Sequence, residues 1–332
     1  MNLVKIEIAH SGFLTSVSRK FNFTEWYRGT TIARVAKSIG SVNEFIEEGV
    51  YMSDGVFLAI LLAALMNAIW NSAIKIGDDK VAVMALTTLI GSGISLVALP
   101  FVGVFASTDW LLLALSIGIH TVYHFALPIA YQHGDLGHVY PIARGGAPLL
   151  VTLAAASVVG EVPSPGEIAG VLCLSIGVLA FAFQHRAQGG ASRGTLYAMA
   201  ISLLIASYTV VDALGARRSE SALGFAVLLT IGDGIATALI VLWWRGRAAF
   251  LVDRRTLSMS AIAGTMQIGA YWITVWALAQ APMGTVSALR ESSVLFVALI
   301  STYLLKEQLG RHRIACSVLI FTGILLVKLR LL

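Results

Sequence analysis

The chain has 332 residues, of which 57% are hydrophobic and only 12% charged. A soluble domain carries about 25% charged residues, so most of this surface faces something other than water, and the bilayer is the medium that fits. The net charge of +5 does not point to nucleic acid, because the basic residues are scattered between apolar runs and form no stripe.

Residues 1–52 are mixed in charge and hold no long apolar run and no signal-peptide core. Met52 stands immediately before the first apolar run. The extension therefore reads either as a start-site artefact or as a genuine, poorly ordered tail.

From there the pattern changes. A bilayer-crossing helix needs about 20 mostly apolar residues. Ten such runs follow, near 56–76, 81–102, 109–130, 137–158, 166–184, 194–213, 222–243, 256–279, 284–304 and 313–331. The breaks between them, such as GDDK at 77–80 and ARRSES at 216–221, leave no room for a soluble domain.

Polar residues inside these runs are the candidates for function. In the first run, Asn67, Trp70 and Asn71 fall on one helical face. Asn is unfavourable in lipid unless it bonds across helices, so interhelical bonding and solute contact both stay open. Trp70 either stacks on a solute or fills space. The third run, GIHTVYHFALPIAYQH, places His120 and His124 four apart on one face with Tyr123 beside them. Histidine titrates near neutral pH, which suits proton handling. Packing histidines bonded to backbone are the competing reading, and a metal has no carboxylate or cysteine nearby to help it.

Arg144 opens the apolar part of the fourth run, which ends on Glu161. An arginine at the bilayer centre costs about 2.5–3.5 kcal/mol, while each apolar neighbour returns about 0.3–0.6 kcal/mol. Insertion is thus feasible, but the charge needs a partner, a wet cavity, or a route to the interface. Asp212, near the end of the sixth run, reads as interfacial. Asp233 lies mid-run in TIGDGIAT, and a lone intramembrane carboxylate is a functional candidate. Gln267 and Tyr271 share a face in the eighth run, with Trp272 and Trp276 as core or interface aromatics. The ninth run, SALRESSVLFVALISTYLLKEQ, opens on Arg290 and Glu291 and closes on Lys306 and Glu307. Glu291 is a local partner for Arg290 only if the helix is irregular, since adjacent helical residues do not face each other. Pro128, Pro141, Pro148 and Pro282 are candidate helix breaks. Cys173 and Cys316 read as packing residues, without metal-ligand spacing.

The chain also repeats. Arg144 and Glu161 are spaced like Arg290 and Glu307, and the second pair lies 146 residues after the first (290 against 144, 307 against 161). A cut near residue 189 leaves five runs on each side. Five is odd, so the second copy enters the membrane inverted, as in secondary transporters. The expected fold is therefore all-α, a polytopic membrane protein of ten transmembrane helices in two inverted five-helix repeats, 53–184 and 194–331.

NAIWNSAIK in the first run, with Trp70, Asn71 and Lys75, and the two Arg-apolar-Glu stretches resemble the drug/metabolite transporter superfamily, specifically the ten-helix EamA type. The resemblance covers residues 53–331 and implies movement of small metabolites. It also implies cytoplasmic termini. The basic residues disagree: without the extension, Arg217, Arg218, Lys328 and Arg330 would face inward, and eleven, from Lys75 to Arg313, outward. The positive-inside rule favours the reverse.

The expected function is secondary active transport of a small organic metabolite, either amino-acid-like or another small polar or amphipathic solute, by alternating access coupled to protons. The expected setting is a bacterial inner membrane. An intramembrane enzyme is the rival, but the chain has no HExxH and no Walker motif. A sensor or scaffold without flux is a third reading. The expected partners are a small-molecule solute, the lipid bilayer and protons, with a homodimer left open. No nucleic acid, metal or cofactor is expected.

Overall fold

The structure, a computed structural model, describes residues 52–76, 79–102, 108–133, 136–183, 191–297, 299 and 311–329. The extension, Lys306, Glu307 and most of the second half of the ninth run lie outside the described residues. The chain divides into two compact units. One comprises Val50–Ser157 and Glu161–Leu332, and the other comprises residues 1–49 with Val158–Gly160. The first unit carries every helix discussed below.

Among the described residues the fold is helical, with no strand. The helices are α1 (Asp54–Ile76), α2 (Lys80–Ala98), α3 (Trp110–His133), α4 (Leu136–Ala154), α5 (Pro165–Phe183), α6 (Ala191–Arg218), α7 (Ala222–Arg245), α8 (Arg254–Leu278), α9 (Met283–Arg290) and α10 (Arg311–Leu329). Each coincides with one apolar run. Seven of them, α1–α4 and α6–α8, are long and apolar enough to cross a membrane. The apolar stretches of α5 and α10 are shorter, Pro165–Phe181 and Ile314–Lys328. α9 ends after eight residues because the bonding tightens there. Glu291, Ser292 and Val294 donate to carbonyls three residues back, and residues 293–297 are helical again.

The polar breaks end the helices by capping them. Asp79 accepts from the backbone N–H of Val81 and Ala82 at 3.1 and 3.2 Å. Ser221 caps α7 through Gly224 and Asp253 caps α8 through Thr256. Ser164 and Glu167 bond reciprocally at the start of α5, a capping box. Pro128, Pro141 and Pro148 sit inside α3 and α4 and do not end them, while Pro282 precedes α9.

The helix pairings carry a hidden order. α1 packs on α8 and α3 on α6. α2 packs on α8 and α3 on α7. α4 packs on α6 and α1 on α9. Each couple is one pairing and its counterpart when helix i is exchanged with helix i+5. The pairs α2–α7, α4–α9 and α5–α10 map onto themselves. Glycines set two of the closest approaches. A Cβ on Gly323 of α10 would lie 2.8 Å from the Gly170 carbonyl oxygen of α5, and one on Gly264 of α8 would lie 2.7 Å from the Thr87 oxygen of α2. Small residues of this kind let helix backbones meet where no aqueous hydrophobic drive operates.

Ion pairs at the helix ends match a serpentine path. Asp79, before α2, pairs with Arg245 at the end of α7 at 2.7 Å. Asp109 pairs with Arg218 at 2.9 Å, Glu161 with Arg217, and Asp54 with Lys328. Alternate crossings put the Asp79–Arg245 pair at one end of the bundle and the other three at the opposite end. Partial burial of Asp79 works against its charge. The Ala82 N–H, the Arg245 guanidinium and the Val81 N–H outweigh it and hold the carboxyl below its usual range.

Candidate functional site

Eight helices surround one chamber. α1 supplies Ala63, Asn67 and Trp70, and α2 supplies Thr88 and Gly91. α3 contributes His120, Tyr123 and His124, α4 Arg144 and α6 Tyr208. α7 adds Leu229, Thr230 and Asp233, α8 adds Gln267, Ile268, Ala270, Tyr271 and Thr274, and α9 adds Arg290. The cavity volume is about 70 Å³, by the measure on which one water takes about 10–15 Å³. That is room for several waters or one small solute.

Ten of the twelve residues singled out in the sequence therefore line a common space: Asn67, Trp70, His120, Tyr123, His124, Arg144, Asp233, Gln267, Tyr271 and Arg290. Asn71 and Glu291 do not. Asn71 turns back on its own helix and donates to the Asn67 carbonyl at 2.7 Å. Glu291 is buried behind the wall and accepts from Arg144 Nε at 2.9 Å. It is thus the partner of Arg144 and not of its neighbour Arg290. The turn at Glu291 allows this, because it directs consecutive side chains to different helices. Arg144, only 4% exposed, is held inside the bundle by this pair and does not snorkel. Its guanidinium also lies 5.9 Å over the Tyr140 ring.

Two carboxylates organise the polar side of the chamber. Asp212 on α6 accepts from the Ser116 hydroxyl and, at 2.7 Å, from the Tyr271 hydroxyl. His120 Nε2 stands 3.8 Å from it, and His120 Nδ1 lies 3.0 Å from the Ser116 carbonyl. The His120 ring is sandwiched between Tyr208 at 4.1 Å and the edge of Tyr271 at 5.4 Å. One helical turn further along α3, His124 Nδ1 lies 3.3 Å from Asp233 Oδ1 and 3.4 Å from the Thr237 hydroxyl. Thr121 donates to Asp233 at 3.5 Å. Each histidine of α3 thus faces a carboxylate from the second half of the chain. A histidine beside a carboxylate can hold or pass a proton with little movement of heavy atoms.

On α1, Trp70 Nε1 donates to Asn67 Oδ1 at 2.8 Å. Indole nitrogen only donates, so this bond fixes which way the Asn67 amide points. Its Nδ2 then has no partner among the described residues.

Sequence reading passed over Asp212, which its place near the end of a run made look interfacial. It is 1% exposed. Tyr208 and Asp212 are four apart on α6, and so are Ser116 and His120 on α3. That spacing was a usable signal. Arg217 was also missed. Besides Glu161, it donates to the Leu278 and Ala281 carbonyls at 2.8 and 2.9 Å, and Glu161 accepts the Met283 N–H at 2.9 Å. One ion pair thereby ties the ends of α4, α6 and α8 to the start of α9.

Comparison with known proteins places these features. No curated protein matches the chain in sequence. Of 28 matching solved chains, one described only as "Crystal structure of protein" superposes with a TM-score of 0.68 at 19% identity, covering 83% of this chain and 96% of that one. That likeness is one of fold. Residues 192–329 match the model of the EamA-like transporter family. With the apolar helices, this makes the protein an integral membrane protein of the drug/metabolite transporter type. The likeness to the EamA-like transporter family thus extends over residues 192–329, the larger part of the second half of the chain.

Proposed function

We propose that this protein is a secondary active transporter that moves a small organic metabolite, amino-acid-like or otherwise small and polar or amphipathic, by alternating access around the chamber, with protons as the coupling ion. The observation that carries the reading is the chamber itself. Charged and hydrogen-bonding side chains from both halves of the chain converge on a small buried space between helices long enough to cross a bilayer. Intramembrane ionisable residues that face a cavity mark solute and ion paths.

The symmetric helix pairings favour two five-helix repeats, inverted because five crossings reverse the direction of the second. Rocking one repeat against the other would open the chamber to each side in turn. His120–Asp212 and His124–Asp233 are the proton-handling pairs, and each bridges the halves. The family resemblance favours a bacterial inner membrane with both termini in the cytoplasm, against the count of basic residues outside the extension.

Flux in proteoliposomes tests this. Labelled small solutes should cross faster than in protein-free liposomes, an imposed proton gradient should drive accumulation, and Asp233→Asn should abolish the effect of the gradient. Flux equal to empty liposomes, or chemical conversion of the solute in place of its movement, would refute the reading.

A further inference from the structure

The chamber wall holds a cation without a partner. Arg290 lines the space and makes no hydrogen bond or ion pair among the described residues. Arg144 is buried and spends its Nε on Glu291, which leaves Nη2 without a partner. Asn67 spends its oxygen on Trp70 and leaves Nδ2 without one. Of the nearby carboxylates, Asp212 takes the Ser116 and Tyr271 hydroxyls, and Asp233 faces Thr121 and His124 through Oδ1. A buried donor left empty costs about 1–3 kcal/mol, more when charged. A guanidinium without a partner therefore favours an incoming acceptor.

The repeat explains how Arg290 comes to be free. Arg144 and Arg290 are equivalent under the 146-residue offset, and that offset puts Gly145 opposite Glu291. The second repeat carries a carboxylate where the first has only hydrogen. That carboxylate crosses to neutralise Arg144 at 2.9 Å, and no counterpart returns from α4 to Arg290. One arginine is locked into structure, and the other faces the solute space.

We infer that the transported solute carries a carboxylate, which docks on Arg290. A guanidinium presents a planar fork that matches a carboxylate in two parallel bonds. The small volume and the unpaired cation fit one anionic group on a compact solute. The aromatic walls, Trp70, Tyr123 and Tyr208, take the rest of a compact organic body. The inference deepens the transporter reading and rests on it for the word "transported".

Binding to the purified full-length protein tests it. Propionate, lactate and alanine are titrated calorimetrically, each against its amide. Carboxylates should bind at least about tenfold more tightly than their amides, the worth of one charge-assisted bond. Arg290→Gln should reduce each acid to the level of its amide, while Arg290→Lys should keep part of the preference and the wild-type thermal midpoint. Acids binding no better than amides, including no binding of either, would overturn the inference, as would a preference that survives Arg290→Gln. Liposome flux of the same probes separates the two readings. Preferential binding without flux leaves the anion site standing and removes the transporter, whereas flux without acid preference does the reverse.

Discussion

Asp212 lies in a helix long and apolar enough to cross a membrane and is 1% exposed, yet its oxygens are filled from two other helices. Ser116 comes from α3 and Tyr271 from α8, while His120 stands within ion-pair reach. Asparagine has nearly the same shape but only one acceptor oxygen, so two hydroxyl donors would compete for it. Asp212→Asn is expected to cost about 1–2 kcal/mol through the donor left unmet. It should read as a lower thermal midpoint in detergent, together with reduced flux because His120 and Tyr271 lose their anchor. An unchanged midpoint would show that the cluster does not hold the bundle together. At this scale the sequence was partly legible. Arg144, Asp233 and Arg290 stand out because a charge is conspicuous inside an apolar run. Asp212 is just as buried, but its run ends nearby, and its partners are remote in sequence. Only tertiary packing separates an interfacial carboxylate from one enclosed by three helices.

Helices obey a different logic, in which backbone proximity matters more than side-chain chemistry. α5 and α10 carry shorter apolar stretches than the seven long helices, and they meet through Gly170, Gly177 and Gly323. A larger residue at Gly323 has the Gly170 carbonyl and the Leu174 side chain in its way. Gly93 on α2 has nothing within 4 Å of its would-be Cβ. Gly323→Leu is therefore expected to destabilise by about 1–3 kcal/mol, the usual cost of overpacking, whereas Gly93→Leu should leave the thermal midpoint close to wild type. Equal midpoints for the two variants would contradict the packing described. Element positions were legible from the ten apolar runs, because lipid demands long stretches with few charges. The end of α9 was not. SALRESSVLF reads as one continuous apolar helix, and the tightening at Glu291 coincides with a buried pair to Arg144, which is remote in sequence.

Across the whole molecule, the pairings of helix i with helix i+5 tie the two halves into one body around the chamber. The equal spacing of Arg144–Glu161 and Arg290–Glu307 pointed to repetition, but not to its use. The repeats differ where it matters, since Glu291 faces Gly145 in the alignment and frees Arg290. In the structure Glu161 serves a different end from the one the spacing suggested, clasping Arg217 and the start of α9. The pair sits at the end of the bundle away from Asp79–Arg245, so opening the chamber on that side must strain or break it. The most direct test is access to the chamber from each face of the membrane. In a Cys173→Ala, Cys316→Ala background, Ala270→Cys places one thiol on the chamber wall, and a membrane-impermeant maleimide is applied to sealed vesicles of each orientation. The account requires that this thiol react from either side of the membrane. Reaction from one side alone, however long the exposure, would contradict it.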